Sequence, residues 1–167
     1  LVGMVGHCAI RTWVMGERGV DDIPTSDEIA QMAALAGKSV AEGAVGFSSS
    51  RLVAHKMPDG RSIPGTFAKT EEMVAIAKAV GDNNGLIQNV LEYSRLDTEM
   101  AQLREQALAA QTRVIFTAPH IPGESGKANA YVDIIETMLA EGIDITGLAL
   151  PRSFGFLSGL KTNIMFM

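Results

Sequence analysis

Gly43–Ala68, GAVGFSSSRLVAHKMPDGRSIPGTFA, decides how this chain is read. It passes from a helix end through a short apolar strand, Val45 to Ser48, into a long polar loop. Ser48, Ser49, Ser50, Arg51 and His55 stand where the strand opens out, and Asp59-Gly60 and Pro64-Gly65 turn the chain back toward a new helix. A connection this long without structure of its own is expected to be functional or disordered. Hydroxyls, a guanidinium and an imidazole at the end of a buried strand mark a substrate-facing edge of an α/β protein.

Upstream, residues 1–10 read as a strand apolar on both faces, as parallel strands are, with His7, Arg11 and Trp13 toward its carboxyl end. Residues 16–24 read as a loop. Thr25, Ser26 and Glu28 supply capping-box chemistry, and Ile29, Met32, Ala33, Ala36 and Val40 recur at helical spacing up to Gly43. Downstream, Thr70 is the expected cap of a helix with Met73, Ile76, Ala77 and Val80 as its apolar stripe. Asp82–Gly85 reads as a turn, and Leu86–Leu91 as a strand ending in Glu92, Tyr93 and Ser94. Asp97 is the expected cap of the next helix. Arg113–Thr117 is a strand rich in β-branched and aromatic residues, followed by Pro119 and His120. A helix over Lys127–Glu141 and a strand over Ile143–Leu150, leading to Pro151-Arg152, complete the pattern.

Strict β–α alternation predicts about five parallel strands with four intervening helices and right-handed crossovers. A doubly wound sheet and a TIM-like (β/α) barrel both fit. A complete barrel needs roughly 250 residues, so 167 residues supply only part of one. No Gly-x-Gly-x-x-Gly turn and no Walker loop follows any strand, which weakens the nucleotide-binding readings. A net charge of −5 lacks the basic footprint of a nucleic-acid binder. No apolar run reaches the roughly 20 residues of a membrane span. The single cysteine, Cys8, rules out an internal disulfide, and a cytoplasmic location is the expectation. Both ends read as cut from a longer chain, so residues 1–167 are expected to be one segment of a barrel incomplete at both ends.

The polar residues collect at the carboxyl ends of the strands, and each of the three histidines falls just beyond one. No H-x-H or H-E-x-x-H spacing is present. His55 reads as a residue that hydrogen-bonds within its loop or contacts substrate. Cys8 reads as a small buried hydrophobe rather than a nucleophile. Ser49 lacks the glycine and the following helix of a nucleophile elbow, so Ser48 to Ser50 read as hydroxyls that cap backbone or touch substrate. Arg51 and Arg152 suit either a substrate carboxylate or a salt bridge across the rim. Glu92 reads as a solvated strand-end carboxylate ahead of an acid or base.

These residues bring a family into view. Gly6-His7-x-Ala9-x-Arg11, Gly46-Phe47-Ser48-Ser49-Ser50-Arg51, His55, Asp59-Gly60 and Pro64-Gly65-Thr66 resemble the central part of the N-acyl-D-amino-acid deacylases, or D-aminoacylases, of the amidohydrolase superfamily. Leu150-Pro151-Arg152-x-x-Gly155-x-Leu157-x-Gly159-Leu160 is similar to a later segment of the larger members. The resemblance implies a TIM-like barrel with a divalent metal, usually zinc, and hydrolysis of the amide of an N-acyl-D-amino acid by a metal-bound hydroxide. It also implies an early H-x-H pair upstream of Leu1 and a late aspartate downstream of Met167. Two further histidine ligands of the family end the strands that correspond to Leu86–Leu91 and Arg113–Thr117. This chain has Gln88-Asn89-Val90 and Thr117-Ala118-Pro119 there, with His120 just beyond. No metal ligand is therefore carried over. The resemblance assigns His7, Arg11, Ser49, Arg51 and His55 to the rim that binds a small, anionic substrate and to the layer of residues that supports it. The isolated segment is expected to be inactive. The alternative is a catalytically silent barrel that binds a ligand or partner without hydrolysis.

Overall fold

The computed structural model describes residues 2–119 and 125–149. The five strands are β1 (Met4–Gly6), β2 (Gly46–Ser50), β3 (Leu86–Val90), β4 (Val114–Thr117) and β5 (Ile145–Leu148). They form one parallel sheet in the order β1-β2-β3-β4-β5. A doubly wound sheet reverses its strand order at a switch point. Here the order never reverses, so the sheet is the singly wound wall of a β/α barrel, and it is not closed among the described residues.

The helices are α1 (His7–Met15), α2 (Ser26–Ala41), α3 (Thr70–Gly81), α4 (Leu96–Ala110) and α5 (Ser125–Ala140). α1 is one helix more than the sequence pattern predicts. The strand expected over residues 1–10 stops at Gly6, and the chain turns directly into α1. Its buried stripe is His7, Ile10, Arg11 and Met15, half of it polar, so no hydrophobic period announces it. Residues 16–24, expected as loop, include a short 3₁₀ turn over Gly16–Gly19.

The capping box at α2 forms as expected. Thr25 Oγ1 accepts from the Glu28 N–H at 3.2 Å, and Glu28 Oε2 accepts from the Thr25 N–H at 2.7 Å. Two other expected caps shift. Thr70 is the first residue of α3, and Lys69 holds the N-cap position without a side-chain bond. Asp97 lies inside the first turn of α4, because Glu92 accepts from the Ser94 N–H and starts a 3₁₀ turn, Tyr93–Arg95, that runs into the helix.

Alternation along the strands separates two faces. Phe47, Ile87, Val114, Phe116 and Ile145 are buried in one core with Met32, Met73, Ile76 and Leu103 of the helices. Ser48, Ser50, Gln88, Val90, Ile115 and Thr117 are only partly buried, and Thr146 and Leu148 are exposed. This second face is the wall that a closed barrel turns toward its axis. No helix among the described residues is long and apolar enough to cross a membrane.

Phe47 is fully buried and its ring meets that of His7 edge-on, with centroids 5.4 Å apart. Phe47→Ala is expected to lower the unfolding free energy by about 3–5 kcal/mol, measured by urea denaturation followed by circular dichroism.

Candidate functional site

The carboxyl ends of β1, β2 and β3 are organised by three carboxylates, each from a neighbouring part of the chain. Glu72, in the first turn of α3, accepts from His7 Nε2 at 2.7 Å and from Arg11 Nη1. All three side chains are buried, at 1%, 2% and 5% exposure. Burial alone would raise the Glu72 pKa, but the His7 and Arg11 hydrogen bonds and charges outweigh it and hold the carboxyl below its ordinary range. Arg11 also donates through Nε to the Gly19 carbonyl and through Nη2 to the Asp22 carbonyl. His7 Nδ1 has no hydrogen-bond partner, because Gly65 closes over it. Gly65 has φ +92, and a Cβ there would lie 2.4 Å from that nitrogen, so the loop fits only with glycine.

Arg51, just past β2, is held the same way. Its Nε donates to Glu99 Oε2 of α4 at 2.6 Å and its Nη1 to the Ala68 carbonyl at 2.6 Å. Of the two sequence readings of Arg51, the structure shows a salt bridge, and it is a buried one. Glu92 is buried rather than solvated, which corrects the expectation for it. It accepts from the Val53 N–H at 2.9 Å and from the Ser94 hydroxyl at 2.7 Å. Burial pushes its pKa up, and these bonds together outweigh that and leave it lowered. Tyr93 beside it donates to the Thr117 carbonyl at 2.7 Å, and burial raises its phenol pKa well above the ordinary value.

The three consecutive serines part company. Ser49 shares a face with Phe47, is buried, and donates to Asn89 Oδ1, whose Nδ2 donates in turn to Gln106 Oε1 of α4 at 3.1 Å. Ser48 and Ser50 lie on the open face. Ser48 donates to Gln88 Oε1 at 2.7 Å, and the Ser50 hydroxyl lies 2.7 Å from His55 Nδ1. Of the five residues assigned to the rim, His7, Arg11, Ser49 and Arg51 are buried with protein partners, and His55 alone is exposed. Ser50, Ser48 and Gln88 are polar residues of the open face that the rim assignment leaves out. Their signal is parity: once Phe47 is taken as core, residues 48 and 50 must face the other way. Cys8 is partly buried and unpaired, and burial raises its thiol pKa. His120, Pro151, Arg152 and the Leu150–Leu160 block lie outside the described residues.

Among the described residues no three His, Cys, Asp or Glu side chains converge as a metal centre. β3 ends on Gln88-Asn89-Val90 and β4 on Thr117, which bring amides and a hydroxyl, and no imidazole, to these strand ends. The described donor set therefore does not fit a divalent metal.

A singly wound β/α wall with a polar open face at its carboxyl edge defines a segment of a β/α-barrel scaffold. Two solved structures share it. One is a D-aminoacylase mutant in complex with copper(II) chloride, at TM-score 0.72 and 24% identity. The other is a D-aminoacylase said to define a novel subset of amidohydrolases, at TM-score 0.70 and 23% identity. Each match covers 89% of this chain and 30% of the D-aminoacylase chain, so the described fold is that of a portion of the D-aminoacylase barrel. No protein-family model and no curated protein matches the sequence.

Removing one partner of a buried ion pair strands the other charge. Glu72→Gln is expected to cost about 3–5 kcal/mol at pH 7 in thermal or urea unfolding. Because the folded pKa of Glu72 lies below its unfolded value, its contribution is complete above about pH 5 and is lost as pH falls through and below the ordinary carboxylate range. The gap in stability between the native chain and Glu72→Gln should therefore narrow on acidification.

Proposed function

We propose that this chain is the central barrel segment of a cytoplasmic hydrolase that cleaves a carbon–nitrogen bond other than a peptide bond, the amide of an N-acyl-D-amino acid. The observation that carries this reading is the sequential parallel wall that superposes on D-aminoacylase over 89% of the chain. The motifs that resemble the deacylases, Gly46–Arg51, His55 and Pro64–Thr66, sit together at its carboxyl edge. In this reading His55 contacts the small anionic substrate directly. His7, Arg11, Ser49 and Arg51 act from behind, holding β1, β2 and the long β2–α3 loop in place. The divalent metal of this reading, zinc, is held by residues other than those described.

A second reading has its own observation. The strand-end positions Gln88, Asn89 and Thr117 carry no metal-ligating side chain. A barrel that binds the same ligands without hydrolysing them has no need of one.

The 167-residue chain with added zinc is expected to show no turnover of N-acetyl-D-amino acids. Turnover above background would overturn the segment reading. A longer gene product containing this segment is expected to hydrolyse N-acetyl-D-amino acids, spare the L enantiomers, and carry a stoichiometric metal by elemental analysis. Binding without metal and without turnover would instead establish the silent barrel.

A further inference from the structure

We propose that Ser50 is a positioning residue that fixes the tautomer of His55, so that His55 presents an Nε2–H donor to the carboxylate of the bound small molecule at the open face of the sheet. The proposal rests on the hydrolase reading for the identity of that small molecule.

The first observation is where the pair stands. Ser50 is the last residue of β2 and has the parity of Ser48, so its hydroxyl lies on the face away from the helices. His55 Nδ1 is 2.7 Å from that hydroxyl, which sets the imidazole over the carboxyl end of β2.

The second is how firmly an exposed side chain is held. The His55 N–H donates to the Leu52 carbonyl at 3.0 Å, and its own carbonyl accepts the Ile63 N–H at 3.4 Å. A one-pair antiparallel bridge, Lys56 to Ser62, with Met57 N–H donating to the Arg61 carbonyl at 2.8 Å, closes the loop behind it. The backbone and the ring of His55 are thus both held.

The third is what else could meet an anion there. Arg11 and Arg51 are each engaged by a buried glutamate, Glu72 and Glu99. The Lys56 ammonium lies 3.2 Å from Ser62 Oγ, and Arg61 pairs with Asp59 and Asp21. Among the described residues the imidazole is the donor held by a residue of the open face itself, while the exposed Lys56 ammonium, bonded only to a neutral hydroxyl, is the competing cation. When a hydroxyl donates to Nδ1 of a neutral imidazole, the ring proton is on Nε2, and that nitrogen, free of protein partners among the described residues, becomes the donor to a ligand.

The test is ¹⁵N–¹H correlation of the imidazole signals in the 167-residue chain, titrated with N-acetyl-D-alanine and with its neutral amide. The expected result is an unprotonated Nδ1 in the free chain at pH 8, with saturable shifts of the His55 signals by the acid and not by the amide. Ser50→Ala is expected to mix the tautomers and weaken binding by about fivefold, the equivalent of one hydrogen bond, while Ser50→Thr restores both. A protonated Nδ1 in the unsubstituted chain overturns the proposal whatever the variants do. Saturable shifts elsewhere on the open face with His55 untouched overturn it and leave the hydrolase reading standing. An absence of binding by acid and amide alike overturns it together with the ligand identity on which it rests.

Discussion

The contact on which the carboxyl edge depends is the carboxylate of Glu72 between His7 and Arg11. Burying a carboxylate costs several kcal/mol unless its oxygens are filled by charged or strong donors. Here one oxygen takes an imidazole and the other a guanidinium, so α1 and α3 are tied across the end of β2. The consequences spread from that point. Arg11 is aligned to hold the Gly19 and Asp22 carbonyls, which sets the path from α1 to α2. The His7 ring is fixed edge-on to Phe47 and flat enough for Gly65 to close over it. The loop after β2 thus finishes against a surface made by β1 and α1.

Glu99 and Glu92 repeat the device one strand further on. Glu99 draws Arg51 toward α4, and Glu92 catches the Val53 N–H from the end of β3. In each case a carboxylate from a later unit holds the connection that leaves an earlier strand. The long β2–α3 connection, which carries no helix and only a single bridge pair, is therefore ordered by charges at its two ends and by a turn around His55 in its middle. A loop held in this way can carry a functional side chain without a hydrophobic core of its own.

Much of the scaffold could be read from the sequence because its code is simple. Apolar residues at helical spacing marked α2 and α3, the Thr25–Glu28 box marked a helix start, and the β–α alternation implied parallel strands. α1 escaped because a polar pair, His7 and Arg11, occupies half of its buried stripe, and the periodicity that reveals a helix assumes that buried means apolar. The same assumption hid Glu72 and Glu99. Each stands in the first turn of a helix, where acidic residues are favourable on the surface, and nothing local says that a partner from an earlier unit will bury it. At the site, three adjacent serines carry no alternation of their own. The burial of Phe47 decides that Ser49 turns to Asn89 and Gln106 while Ser48 and Ser50 turn away.

That division of the serines bears on what the open face can do. Its polar groups in β2, β3 and β4 are Ser48, Ser50, Gln88 and Thr117, all neutral. The nearby charges are either compensated in buried pairs, as at Arg11 and Arg51, or turned to solvent in the loop. A face of hydroxyls and an amide can orient a small polar molecule by hydrogen bonds but cannot by itself supply a strong charge to a reaction. The loop above the face adds a further hydrogen-bonding group, the His55 imidazole held by Ser50. That arrangement follows from the packing: the glutamates of the carboxyl edge are committed to holding it together, and the groups left facing outward are neutral hydroxyls, an amide and an imidazole.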